Sequence, residues 1–77
     1  LDKPFIQVGI FTLEENARKA ATAMRQSGML PTVRKQENED EAFWRVLVGP
    51  SNSNAEQKVL LNKIKKAGFD DAYIVTH

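Results

Sequence analysis

The four glycines of this 77-residue chain form two pairs, Gly9 with Gly49 and Gly28 with Gly68, and the members of each pair stand 40 residues apart. The same order of residues recurs around them. A run rich in β-branched and aromatic residues reaches a glycine, in FIQVGIF (Phe5–Phe11) and in AFWRVLVG (Ala42–Gly49). A hydroxyl residue followed three places later by glutamate comes next, Thr12 with Glu15 and Ser53 with Glu56, and an Asn-Ala pair lies beside it each time. That spacing is a capping box, in which two side chains satisfy amide groups left free at a helix start. Apolar residues follow at helical spacing, Leu13, Ala17, Ala20, Ala21 and Met24 in the first half and Leu60, Leu61, Ile64 and Ala67 in the second. Gly28 and Gly68 then end the helices, because glycine takes the left-handed conformation of a helix terminus without strain, and Pro31 blocks continuation. Thr32–Gln36 and Ala72–Val75 complete the two halves as strands, and Glu37–Glu41 is the polar turn between them.

The plan is a βαβ unit used twice. The expected fold class is α+β, a βαββαβ ferredoxin-like arrangement with a four-stranded antiparallel sheet and both helices packed on one face. The first and third strands lie at the centre, and the fourth and second at the edges. One domain, residues 4–76, accounts for the repeat. A chain of this size buries only about 60% of its unfolded surface, so the core is modest.

The two central strands carry apolar residues on both faces. Successive strand residues alternate sides, so Ile6, Val8 and Ile10 point one way, and Phe5, Gln7, Gly9 and Phe11 the other. In the third strand Trp44, Val46 and Val48 oppose Phe43, Arg45 and Leu47. One face is expected to meet the helices, through Ile6, Val8, Trp44, Val46, Val48, Ala72 and Ile74. The other stays open and carries Phe5, Gln7, Phe43, Arg45, Leu47, Tyr73 and Val75. A slip of one residue in register would exchange the faces, and would make Trp44 rather than Phe43 the aromatic on the open side.

Charge excludes several functions. Formal net charge is +1, with six basic against seven acidic residues in 1–41 and five against three in 42–77. Neither half is polybasic, which argues against nucleic acid, and the third strand lacks the basic-aromatic signature of an RNA-binding module of this plan. No cysteine is present, so there is no disulfide or thiolate chemistry. The only histidine is the terminal His77, which rules out a Ser-His-Asp set. A ferredoxin-like phosphatase would need a cation in the loop Gly9–Leu13, and none is there. The acidic run Glu37, Glu39, Asp40 and Glu41 reads as a solvated hairpin tip rather than a metal site. No catalytic residue, metal or cofactor is expected. Neither an apolar run of membrane-spanning length nor a signal peptide is visible, and Leu1 suggests a segment of a longer protein.

The residues F-I-Q-V-G-I-F, N-A at the first helix, R-V-L-V-G-P and A-G-F-D-D-A-Y-I-V, in this order across residues 4–76, resemble the SPOR domain of bacterial cell-envelope proteins. The resemblance implies non-catalytic binding of peptidoglycan glycan strands, preferring strands stripped of stem peptides. It also implies targeting of the parent protein to the division septum, with a periplasmic or cell-envelope location. That parent would be membrane-anchored or a lipoprotein, and the domain monomeric, with no nucleic acid bound and no membrane insertion of its own. Gln7 and Arg45 would supply polar contacts to sugar hydroxyls, N-acetyl amides or a lactyl carboxylate. Phe43 and Tyr73 would offer flat apolar surface to sugar rings. Leu47 and Ile10 complete the expected site, although Ile10 stands where the family often has serine or alanine. Each has a plainer reading: a solvated amide for Gln7, a cross-strand ion pair for Arg45, filler for the aromatics. A module that uses the same open face against another protein is the alternative function.

Overall fold

The computed structural model describes residues 4–76, leaving residues 1–3, Leu1 among them, and His77 outside. The strands are β1 (Pro4–Phe11), β2 (Pro31–Glu37), β3 (Ala42–Val48) and β4 (Tyr73–Thr76), and the helices are α1 (Glu14–Gln26) and α2 (Asn54–Lys66). They follow the order βαββαβ. One antiparallel sheet has the strand order β2-β3-β1-β4, with β3 and β1 central as the repeat requires. Both helices lie against one face. Ile6, Val8, Val46 and Val48 of the central strands pack there with Ala17, Ala20 and Met24 of α1, Ile64 of α2, Met29 and Ala72.

The register of β1 on β3 is interrupted. Ile6 pairs with Val48 and Gln7 with Leu47, but Gly9 pairs with Val46, so Val8 is an extra residue in β1. This β-bulge reverses the facing of everything after it. Phe11, expected on the open face, pairs with Trp44 and packs on the core. Ile10, expected to point with Ile6 and Val8, instead pairs with Arg45 and is 49% exposed on the open side. Gly9 serves the bulge through space rather than through φ. A Cβ there would stand 3.0 Å from Cζ of Phe11, so the missing side chain lets that ring fold back onto the core. Gly49 serves through backbone: its φ is +132°, and a Cβ would meet the carbonyl oxygen of Pro4 at 3.3 Å. That close approach lets Ser51 N–H donate to the same carbonyl at 3.0 Å, joining the end of β3 to the start of β1.

The two helix starts differ. Ser53 caps α2, its Oγ accepting from Glu56 N–H at 3.1 Å. The first capping box does not form. Leu13 is the N-cap of α1 with no side-chain cap, because Thr12 lies one residue too early. Leu13 consequently sits outside the core, more than half exposed. In α2 the inner face is Gln57, Leu60, Leu61 and Ile64, while Ala67, expected inside, is exposed at the C-cap. The hairpin tip is polar as expected, with Asn38 Oδ1 accepting from the N–H groups of Asp40 and Glu41 at 3.1 and 2.9 Å.

Ser53→Ala should therefore lower stability by about 1 kcal/mol, the usual worth of an N-cap. Thr12→Ala should stay within about 0.5 kcal/mol, as at an ordinary surface position. Urea denaturation of the two variants checks the contrast, and equal losses would mean that both boxes form.

Candidate functional site

The face away from the helices is built by alternation on four strands. β3 contributes Phe43, Arg45 and Leu47. Their cross-strand partners on β1 are Ile10 for Arg45 and Gln7 for Leu47, and on β2 they are Gln36 for Phe43, Arg34 for Arg45 and Thr32 for Leu47. On the other side β4 places Val75 beside Phe5 and Tyr73 beside Gln7. All six expected site residues thus share this face, Ile10 among them because of the bulge. Trp44 does not. It packs toward the core with the Lys35 ammonium 5.7 Å from its ring centre, which leaves Phe43 as the open-face aromatic of β3.

Two adjoining hollows shape the face. One is lined by Phe5, Gln7, Leu47 and Val75 with Arg34, Lys35, Gln36 and Arg45; the other by Ile10 and Phe43 with the same Gln36 and Arg45. Arg45 and Gln36 are the ridge between them. Arg34 and Gln36 are absent from the sequence-derived set. The signal for them is the period-two spacing of Thr32, Arg34 and Gln36, which reads as a solvated edge until pairing with β3 brings it alongside Phe43, Arg45 and Leu47.

Burial changes the expected roles. Gln7 and Leu47 lie on the open face, yet only 2% and 7% of their surfaces are exposed. They are its floor. Gln7 Nε2–H donates to Tyr73 Oη at 2.9 Å, linking β1 to a ring on β4 that is 51% exposed. Gln7 Oε1 is buried with no partner, and so is Arg45 Nε. One is an acceptor and the other a donor, and both belong to side chains lining the same hollow. Unpaired buried polar groups cost about 1–3 kcal/mol each. A group able to donate and to accept would relieve both.

Two other charges of the sheet, Lys35 and Glu37, neutralise each other. Glu37 accepts a hydrogen bond from Lys35 at 2.7 Å, which raises the Lys35 pKa and holds Glu37 below its ordinary value. Both side chains are exposed, so the pair adds little to stability. Among the described residues no cluster of histidine, cysteine or acidic side chains could hold a metal ion, and no helix is long and apolar enough to cross a membrane.

A family model for the SPOR domain matches residues 2–76. The crystal structure of the RlpA SPOR domain from Pseudomonas aeruginosa superposes with a TM-score of 0.84 at 19% identity, covering 94% of this chain and 96% of that one. The solution structure of the peptidoglycan binding domain of the B. subtilis cell wall lytic enzyme CwlC gives 0.76 at 25% identity, over 100% of this chain and 91% of that one. No curated protein sequence matches this chain.

Tyr73→Phe removes the one hydrogen-bond partner that the buried Gln7 amide nitrogen has among the described residues. It should lower stability by about 1–3 kcal/mol, the cost of an orphaned buried donor, although the substituted ring is half exposed. Chemical denaturation measures this, and a change below about 0.3 kcal/mol would show that the link is not formed in solution.

Proposed function

The chain belongs to the SPOR domain family, and on that premise we propose that residues 4–76 form a non-catalytic unit that binds the glycan strands of peptidoglycan. Strands stripped of their stem peptides are the preferred ligand. The parent protein is thereby brought to the division septum, within the cell envelope. The likeness to the peptidoglycan binding domain of CwlC, at 25% identity over the whole of this chain, supports the ligand class.

The observation that carries the reading is the make-up of the open face. Sugar rings present C–H surfaces edged by hydroxyls, and a hydroxyl both donates and accepts. Phe43, Ile10, Phe5 and Val75 offer the apolar complement to the ring faces, while Gln7 Oε1 and Arg45 Nε are an acceptor and a donor lacking partners. A hydroxyl reaching both atoms would settle the two debts at once. It would have to enter as the long Arg45 side chain moves, since both atoms are buried. Tyr73 holds the other end of the Gln7 amide, so it acts on the ligand through Gln7 as well as through its exposed ring.

Co-sedimentation with purified sacculi tests this directly. The chain should pellet with sacculi, and more of it after amidase has removed stem peptides. Equal pelleting on both preparations would remove the preference for stripped strands, and none on either would overturn glycan binding. A net charge of +1 leaves little room for counterion release. Affinity should accordingly fall only a few-fold between about 50 and 200 mM salt, and a loss of about a thousandfold would point to a polyanion instead.

A further inference from the structure

Arg34 of β2 and Arg45 of β3 are direct cross-strand partners on the open face. Residues so placed have Cβ atoms about 4.5–5.5 Å apart, and like charges there repel. A sheet designed for stability alone would put an acid opposite an arginine. Among the described residues the ion pairs join Arg18 to Glu14, Lys19 to Glu15 and Lys35 to Glu37, and none reaches Arg34 or Arg45. The two guanidinium groups also line one hollow, together with Gln7, and Arg45 Nε is buried without a partner. Two unneutralised arginines at one edge of a neutral, apolar floor make a place for an anion. Guanidinium forks match the planar geometry of a carboxylate, to which they bind bidentately.

We propose that Arg34 and Arg45 together bind one carboxylate of the ligand, and that Arg34 is thereby a residue determining specificity. This rests on the glycan-binding reading above and gives its preference a chemical cause. In an intact strand the lactyl side chain of each muramic residue ends in an amide to the stem peptide. Hydrolysis of that amide takes up water, leaving a carboxylate on the glycan and an ammonium on the released peptide. The neutral amide offers the arginines one carbonyl acceptor and brings a peptide into the hollow. The freed lactyl group offers two charged acceptors and nothing behind them.

Three preparations test the idea with the whole chain: intact sacculi, amidase-treated sacculi, and amidase-treated sacculi whose carboxylates have been condensed with ethanolamine. Wild-type chain should bind the second about tenfold more tightly than the third, as a charge-assisted hydrogen-bond pair implies. Arg34→Gln should still bind but discriminate by no more than about twofold, and Arg34→Lys should recover part of the difference, retaining charge without the fork. Lys63→Gln, which removes a cation of the last turn of α2 outside both hollows, should discriminate as wild type does. Arg34 is exposed on an edge strand, so the variants should melt as wild type does. Equal wild-type binding to the second and third preparations would overturn the carboxylate reading, as would full discrimination by Arg34→Gln. Wild-type failure to bind any of the three would instead overturn glycan binding itself.

Discussion

The bulge at Val8 decides what each face of the sheet holds. Up to Gln7, β1 alternates as a regular strand, with Ile6 toward the helices and Gln7 away from them. One extra residue later the parity is reversed, so that Phe11 reaches the core beside Trp44 while Ile10 reaches the open face beside Arg45. Without the bulge the open face would gain Phe11 and lose Ile10, and the core would exchange a large ring for a smaller side chain. The glycine after the bulge is part of the same device, since a Cβ at Gly9 would stand only 3.0 Å from the Phe11 ring. Strand bend, core filling and the shape of the second hollow therefore depend on Val8 and Gly9 together.

What was legible in the sequence follows from which signals are local. The repeated glycines, the helical spacing of Ala17, Ala20, Ala21 and Met24, and the alternation in Ala42–Val48 each concern one element, and each led to the right element in the right order. The βαββαβ plan then fixed the strand order by topology alone. The bulge was not legible, because the apolar run Phe5–Phe11 fits either parity and the interruption is a property of the pairing of two strands. The first capping box failed for a related reason. Thr12-x-x-Glu15 has the required spacing, but the end of β1 at Phe11 and the entry into α1 leave Leu13 as the N-cap.

The site was legible as a face but not as a depth. Gln7, Phe43, Arg45, Leu47 and Tyr73 do share one side of the sheet, yet alternation says only which way a side chain points. The near-complete burial of Gln7 and Leu47 comes from their neighbours. Both sit on the two central strands, flanked on either side by Phe5, Val75 and Tyr73 or by Thr32, Arg34 and Arg45. A short side chain at the middle of such a sheet is enclosed without any helix over it. Gln7 is thus a structural amide that also faces the site, and the two readings of it given by sequence, solvated or ligand-bound, both omitted the hydrogen bond to Tyr73.

Both helices pack on the other side of the sheet, so none of the described elements covers this face. An apolar sheet face of this make-up, with Phe5, Ile10, Phe43, Leu47 and Val75 around its centre, would normally be closed by another layer. Arg34 and Arg45 oppose that. Removing a guanidinium from water without a partner costs several kcal/mol, and a protein partner that sealed the face would have to pay it twice or bring matching acids. A carbohydrate ligand carries no such requirement. On the proposed reading it would cover the apolar floor with its ring faces, leave the rim wet, and admit water or a carboxylate beside the arginines. The residues that make the face costly to bury would, on that reading, suit it to a hydrated, hydroxyl-rich polymer.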